Sequence, residues 1–180
     1  MPFSSTGDDT GRCIVCRIMS KTVYIETSVI SYLAARPSRD IIAAGHQQIT
    51  HEWWIAERGG FSIYVSPLVL REASVGDPAA ASARLRWLQG IPLVPITPEA
   101  EALSEHLIQR AVLPEKAGAD ALHIAIATYH RFDFLLTWNC KHIANAMNRP
   151  LIERVCRQFG FEPPILCTPE ELTRGKSHVE

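Results

Sequence analysis

Short β-branched or aromatic runs, each followed by a polar turn and a stretch of helical spacing, recur along this chain, and that alternation confines it to an α/β layout. Thr22-Val23-Tyr24-Ile25 reads as a buried strand, after which Ser28 can cap a helix from Val29 to Ala35 that Arg36-Pro37 stops. Between Asp40 and Arg58, Ile41, Ile42, Ile49, Trp53 and Ile55 keep helical spacing, and Gly59-Gly60 closes the pattern. Phe61 to Val65 reads as a second strand, with Ser66-Pro67 opening a helix from Leu68 to Ala73. A helix follows from Pro78 to Leu88, then a third strand from Ile91 to Ile96, which Pro92 and Pro95 confine to an edge. Thr97-Pro98-Glu99 opens the next helix, which reaches about Ala111.

The stretch from Ala117 to His130 is the most uniformly apolar helix, with Asp120 as its carboxylate, and is expected to be central. Phe134 to Thr137 reads as a fourth strand. A short helix from His142 to Met147, a helix from near Pro150 to Gly160 and a last strand near Ile165-Leu166 complete the pattern. Strands separated by helices imply right-handed crossovers, so the expected fold class is a three-layer α/β/α sandwich with a mainly parallel sheet of about five strands. One domain is expected over residues 21–172, with 1–20 as a leader and 173–180 as a tail. Met19 stands directly before the first strand and offers an alternative start, which would make residues 1–18 an upstream extension.

Composition narrows the function classes. With 47% hydrophobic and 21% charged residues, the chain can bury a core, so disordered, collagen-like and mucin-like architectures are excluded. A formal net charge of -1 removes bulk basicity as an argument for nucleic-acid binding and leaves only a local patch. No apolar run approaches the roughly 20 residues a membrane helix needs, and the first residues lack the pattern of a secretory signal. A soluble protein with no membrane partner is expected, with the cytoplasm as its default compartment. Cys13, Cys16, Cys140, Cys156 and Cys167 are odd in number and irregularly spaced, so they read as thiols. Cys13-x-x-Cys16 has the form of half a zinc ribbon but lacks a second ligand pair.

In open parallel sheets, ligands gather at the carboxyl ends of the strands, so polar residues just beyond those ends carry the most information. Glu26 ends the first strand, Glu72 lies on the helix after the second, Asp120 sits in the apolar helix and Asn139 follows the fourth strand. A carboxylate among apolar neighbours needs a partner or a cation. A shared oxygen-rich site of this kind suits Mg²⁺ or Mn²⁺. Taken singly, each has a plainer role: Glu26 can accept from the following helix N-terminus, Glu72 can be solvated, and Asp120 can cap its helix or pair with Lys116.

Tyr24-Ile25-Glu26-Thr27-Ser28 with Ser31-Tyr32-Leu33, then Val69-Leu70-Arg71-Glu72, then Asp120 to Ala127, then Leu135-Leu136-Thr137-Trp138-Asn139 together resemble, in order, the motifs of the PIN domain, particularly VapC-type toxins of toxin–antitoxin pairs. The resemblance covers nearly all of residues 21–172. It implies a parallel α/β/α sandwich and an endoribonuclease that needs Mg²⁺ or Mn²⁺. It places Glu26, Glu72 and Asp120 at the acidic metal positions, Asn139 with them where the family usually has another Asp, and Ser28 and Thr137 at the accompanying hydroxyl positions. It further implies a small antitoxin partner and a homodimer. RNA could be held by Lys116, Lys141, Arg149, Arg154 and Arg157, which lie near or after the late motifs.

Two departures from the family pattern matter. Glu26 stands where the family usually has Asp and reaches one methylene further. Asn139 brings an oxygen but no charge, which should lower metal affinity. They keep a rival reading open: a catalytically weakened PIN-like module that binds RNA or protein without cutting. His123 lies one turn beyond Asp120 and is expected to be a satisfied helix histidine. Of Trp53-Trp54, at least one is expected in the core. The chain has no P-loop, no GxGxxG and no nucleophile elbow, and Ile55 stands where a zincin would need its second His.

Overall fold

The computed structural model describes residues 20–110 and 112–173. Residues 1–19, which take in Cys13, Cys16, Met19 and all but the last residue of the expected leader, lie outside the described residues, as do residues 174–180 of the expected tail. Four strands form one sheet in the order β2-β1-β3-β4, every pair parallel: β1 Lys21–Ile25, β2 Phe61–Tyr64, β3 Phe134–Leu136 and β4 Ile165–Cys167. Tyr24 pairs with Tyr64 on one side and Leu135 on the other, and Leu136 pairs with Cys167. Val23, Tyr24, Ile25, Leu135 and Leu136 are fully buried, as strands covered on both faces must be.

Seven α-helices are found among the described residues. Helices α1 Thr27–Ala34, α2 Ile41–Ala56, α3 Pro67–Ala73 and α4 Pro78–Leu88 pack with one another, while α5 Pro98–Gln109 packs on α6 Gly118–Tyr129 and on α7 Arg149–Gln158. These groups are the outer layers of a three-layer α/β/α sandwich. Local chemistry sets the starts: Asp40, Asp77 and Thr97 each accept a backbone N–H three residues on, and Pro stands in the first turn of α3, α4, α5 and α7. Trp53 is buried and donates its indole N–H to the Leu172 carbonyl at 2.7 Å. Trp54 is half-buried and meets Trp87 edge-on. No helix among the described residues is long and apolar enough to cross a membrane.

The third strand expected over Ile91–Ile96 does not form. The segment makes one parallel bridge, Leu93 beside Val65, through Val65 N–H to the Pro92 carbonyl and Val94 N–H to the Val65 carbonyl. Pro92 and Pro95 have no N–H, so a ladder cannot run past that bridge, and the sheet has four strands where about five were expected. The short helix expected from His142 to Met147 is likewise a series of turns. Side-chain hydrogen bonds from Asn139, Asn145 and Asn148 hold those turns in place of a helical ladder.

All strands run the same way, so their carboxyl ends share one edge. The ladder extends just beyond it, where Glu26 N–H donates to the Leu136 carbonyl and Thr137 N–H to the Cys167 carbonyl. At the opposite edge Asp133 ties β3 to β1, accepting from Thr22 N–H at 2.9 Å, Thr22 Oγ1 at 3.0 Å and Lys21 Nζ at 2.6 Å. Desolvation raises the Asp133 pKa, but the Lys21 and Thr22 donors outweigh it and hold the carboxyl below the usual range. A depressed folded-state pKa contributes stability at neutral pH that is lost as pH falls through it. Asp133→Asn is therefore expected to cost about 1 kcal/mol at pH 7 in urea denaturation, with the gap to the parental chain closing in acid. A gap that persists unchanged in acid would rule this out.

Candidate metal centre at the carboxyl edge of the sheet

Glu26 occupies the first position after β1 and is 6% exposed. It caps α1: Oε1 accepts from Ser28 N–H at 3.1 Å, while Oε2 accepts from the Ser28 hydroxyl and from Thr137 Oγ1 at 2.7 Å. The plainer role open to Glu26 in the sequence is thus real, but it leaves a buried carboxylate whose hydrogen-bond donors are all neutral. Ser28 Oγ also accepts from Trp138 N–H at 2.7 Å, so both hydroxyl residues lock the start of α1 to the end of β3.

Glu72 lies in the last turn of α3, with its side chain 30% exposed. Its Oε2 accepts from the Thr27 hydroxyl and from His123 Nε2 at 2.9 Å. Burial pushes the Glu72 pKa up, but the hydrogen bond and charge of His123, the Thr27 hydroxyl and the charge of Arg71 together bring it below the ordinary value. Glu72 is therefore not a solvated helix residue. Ligand atoms of Glu26, Glu72 and His123 all lie within 4.8 Å of one another.

His123 is 1% exposed and belongs to a buried relay. Its Nδ1 meets the Tyr24 hydroxyl at 2.8 Å, and that hydroxyl meets Ser66 Oγ at 2.7 Å. Burial drives the Tyr24 phenol pKa far upward, which keeps it neutral and hydrogen-bonding. An ionised Glu72 can only accept, so His123 Nε2 must carry the proton between them. In that state the nitrogen has no lone pair to offer a cation, and His123 orients Glu72 instead of ligating. His123 is satisfied, as the sequence led us to expect, yet it sits inside the cluster. The clue to this was Tyr24, whose phenol on a fully buried strand requires a polar partner.

Asp120 stands one turn earlier on α6, outside the three-residue group, and its side chain is 20% exposed. Its partner is His142, whose Nδ1 lies 2.6 Å from Asp120 Oδ2; the pairing with Lys116 open to it in the sequence does not occur. Asn139 follows Thr137, donating its N–H to Thr137 Oγ1 at 2.9 Å and accepting at Oδ1 from His142 N–H at 3.0 Å. Glu26 is thereby connected to Asp120 through Thr137, Asn139 and His142. Lys141 is exposed in the same turns and forms no ion pair among the described residues. Of the other basic candidates, Lys116 and Arg154 are exposed, whereas Arg149 pairs with Glu171 and Arg157 with Glu153 and Glu162. Cys140 is an exposed thiol, and Cys156 and Cys167 are buried thiols.

The donor chemistry fits a hard divalent cation. Two carboxylates converge without a Lys or Arg bonded to either among the described residues, and Glu72 Oε1 has no hydrogen-bond partner there. Carboxylate oxygens suit hard cations better than softer metals.

Several solved chains are similar to this architecture. VapBC2 from Rickettsia felis, bound to a DNA fragment from their promoter, aligns at a TM-score of 0.52 and 14% identity over 82% of this chain and 98% of that one. VapC20 from Mycobacterium tuberculosis, a sarcin-ricin loop cleaving toxin, aligns at 0.53 and 16% identity over 69% of this chain and 95% of its own. The chain has their fold. No family model matches it, and no curated protein is similar to it in sequence at a significant level.

Replacing His123 with Ala removes the main influence that lowers the Glu72 pKa and leaves only the Thr27 hydroxyl and the charge of Arg71 against burial. The carboxyl is expected to titrate at higher pH, read from its side-chain carbon shift by NMR. A Glu72 titration that does not move would refute the relay.

Proposed function

We propose that the chain is a Mg²⁺- or Mn²⁺-dependent endoribonuclease and the toxin of a toxin–antitoxin pair. The observation that carries this reading is the meeting of Glu26 and Glu72 within 4.8 Å at the carboxyl edge of a parallel sheet, with neutral donors and one imidazole as their protein partners. Likeness in fold to a sarcin-ricin loop cleaving toxin adds support for RNA as the substrate.

In this reading Glu26 and Glu72 hold the cation and Asp120 completes the acidic set at its margin. Bound there, the ion supplies positive charge to the scissile phosphate and lowers the pKa of a coordinated water. Ser28 and Thr137 fix Glu26 so that its carboxylate does not swing away, and His123 does the same for Glu72. Lys141, exposed and without an ion pair among the described residues, offers a phosphate contact in the same turns as Asn139. The partners are an RNA substrate, an antitoxin that blocks the acidic groove and a second copy of the chain, in the cytoplasm.

The rival reading, a weakened PIN-like module that binds RNA or protein without cleavage, draws on Asn139, which adds no charge to the site. RNA cleavage in Mn²⁺, in Mg²⁺ and in chelator separates the two. Metal-dependent cleavage is expected from the parental chain, with Asp120→Asn and Glu72→Gln reduced about a hundredfold or more while both variants still unfold cooperatively on heating. Cleavage by Asp120→Asn at the parental rate, or cleavage that survives chelation, would overturn the assignment.

A further inference from the structure

The turns between β3 and α7 are built around one residue, His142. Its main-chain N–H is taken by Asn139 Oδ1 at 3.0 Å and its carbonyl by Asn148 Nδ2 at 2.9 Å, so both faces of its peptide frame are held by side-chain amides. Asn145 binds the preceding carbonyl of Lys141 at 3.0 Å, and the main-chain oxygen of Asn139 accepts from both Ile143 and Ala144. Ile143, fully buried, anchors the turn in the core. These bonds fix the residue that makes one contact across to α6: His142 Nδ1 on Asp120 Oδ2 at 2.6 Å.

Asn139 thus joins two acids. Its N–H meets Thr137 Oγ1, which donates to Glu26, and its side chain holds the residue that grips Asp120. We propose that Asn139 acts as a clamp and not as a metal ligand, and that through His142 it sets the direction in which Asp120 presents its carboxylate to the cation. Asn139 and His142 are then positioning residues. The inference rests on the metal-centre reading above and deepens it.

An Asp120 carboxylate bonded through Oδ2 to the imidazole loses the freedom to rotate, and its Oδ1, which has no hydrogen-bond partner among the described residues, would be left for a cation. Carboxamide suits position 139 because its oxygen accepts the turn N–H without adding a further negative charge beside Glu26 and Asp120.

The test uses the full chain with Mn²⁺ as probe. Calorimetric titration is expected to show affinity weakened about tenfold in both Asn139→Ala and His142→Ala. The double variant is expected to be no weaker than His142→Ala, because the two act along one route. His142→Asn, which keeps an N–H donor near the place of Nδ1, is expected to recover most of the loss. Long-range proton–nitrogen NMR of the imidazoles gives a readout independent of metal: in the parental chain His142 carries its proton on Nδ1, and Asn139→Ala disturbs that signal.

Thermal melts identify any variant that fails to fold, in which case His142→Asn against the parental chain carries the comparison. Parental Mn²⁺ affinity in His142→Ala, additive losses in the double variant or an undisturbed His142 signal in Asn139→Ala would each overturn the clamp while leaving the nuclease reading intact. A parental chain that neither binds Mn²⁺ nor cleaves RNA overturns that reading, and the cation-facing role of Asp120 with it.

Discussion

The placement of Glu26, buried one residue past the end of β1, governs the rest of the site. A carboxylate there must be given donors, and it takes them from Ser28 at the head of α1 and from Thr137 just past β3. The bonds that satisfy the charge therefore also join the first strand–helix unit to the neighbouring strand. Removing the charge would loosen that junction, and removing the hydroxyls would strand a buried anion. Stability of the edge and chemistry of the site share the same atoms.

Two imidazoles extend this logic outward. His123 reaches Glu72 from α6 and is itself fixed by Tyr24 and Ser66, while His142 reaches Asp120 from the turns after β3. Each acid beyond Glu26 is thus steered by a histidine with a protein-bound ring or backbone, so the acidic positions depend on elements far apart in sequence but adjacent at one edge.

Much of this architecture was legible in the residues. The apolar runs at Val23–Ile25 and Phe134–Leu136 stood out because buried parallel strands need no alternation, and Gly59-Gly60, Ser66-Pro67 and Thr97-Pro98 marked element boundaries by local chemistry. Ile91–Ile96 was misread because its apolar residues fit a strand while its two prolines withhold the ladder, and the second effect wins. The turns around His142 were misread as helix because side-chain amide bonds leave no periodic trace. Glu26 and Glu72 could be named from their places after strands, but pairings such as His142 with Asp120 depend on how distant turns close, which spacing does not encode.

The interrupted segment beside β2 has a consequence for self-association. Open sheets are prone to recruit another chain along an unpaired border, and beyond β2 the stretch that bridges to Val65 contains Pro92 and Pro95, which have no N–H to share. The far border is β4, three residues long. Both borders therefore offer an incoming strand only a short ladder to continue.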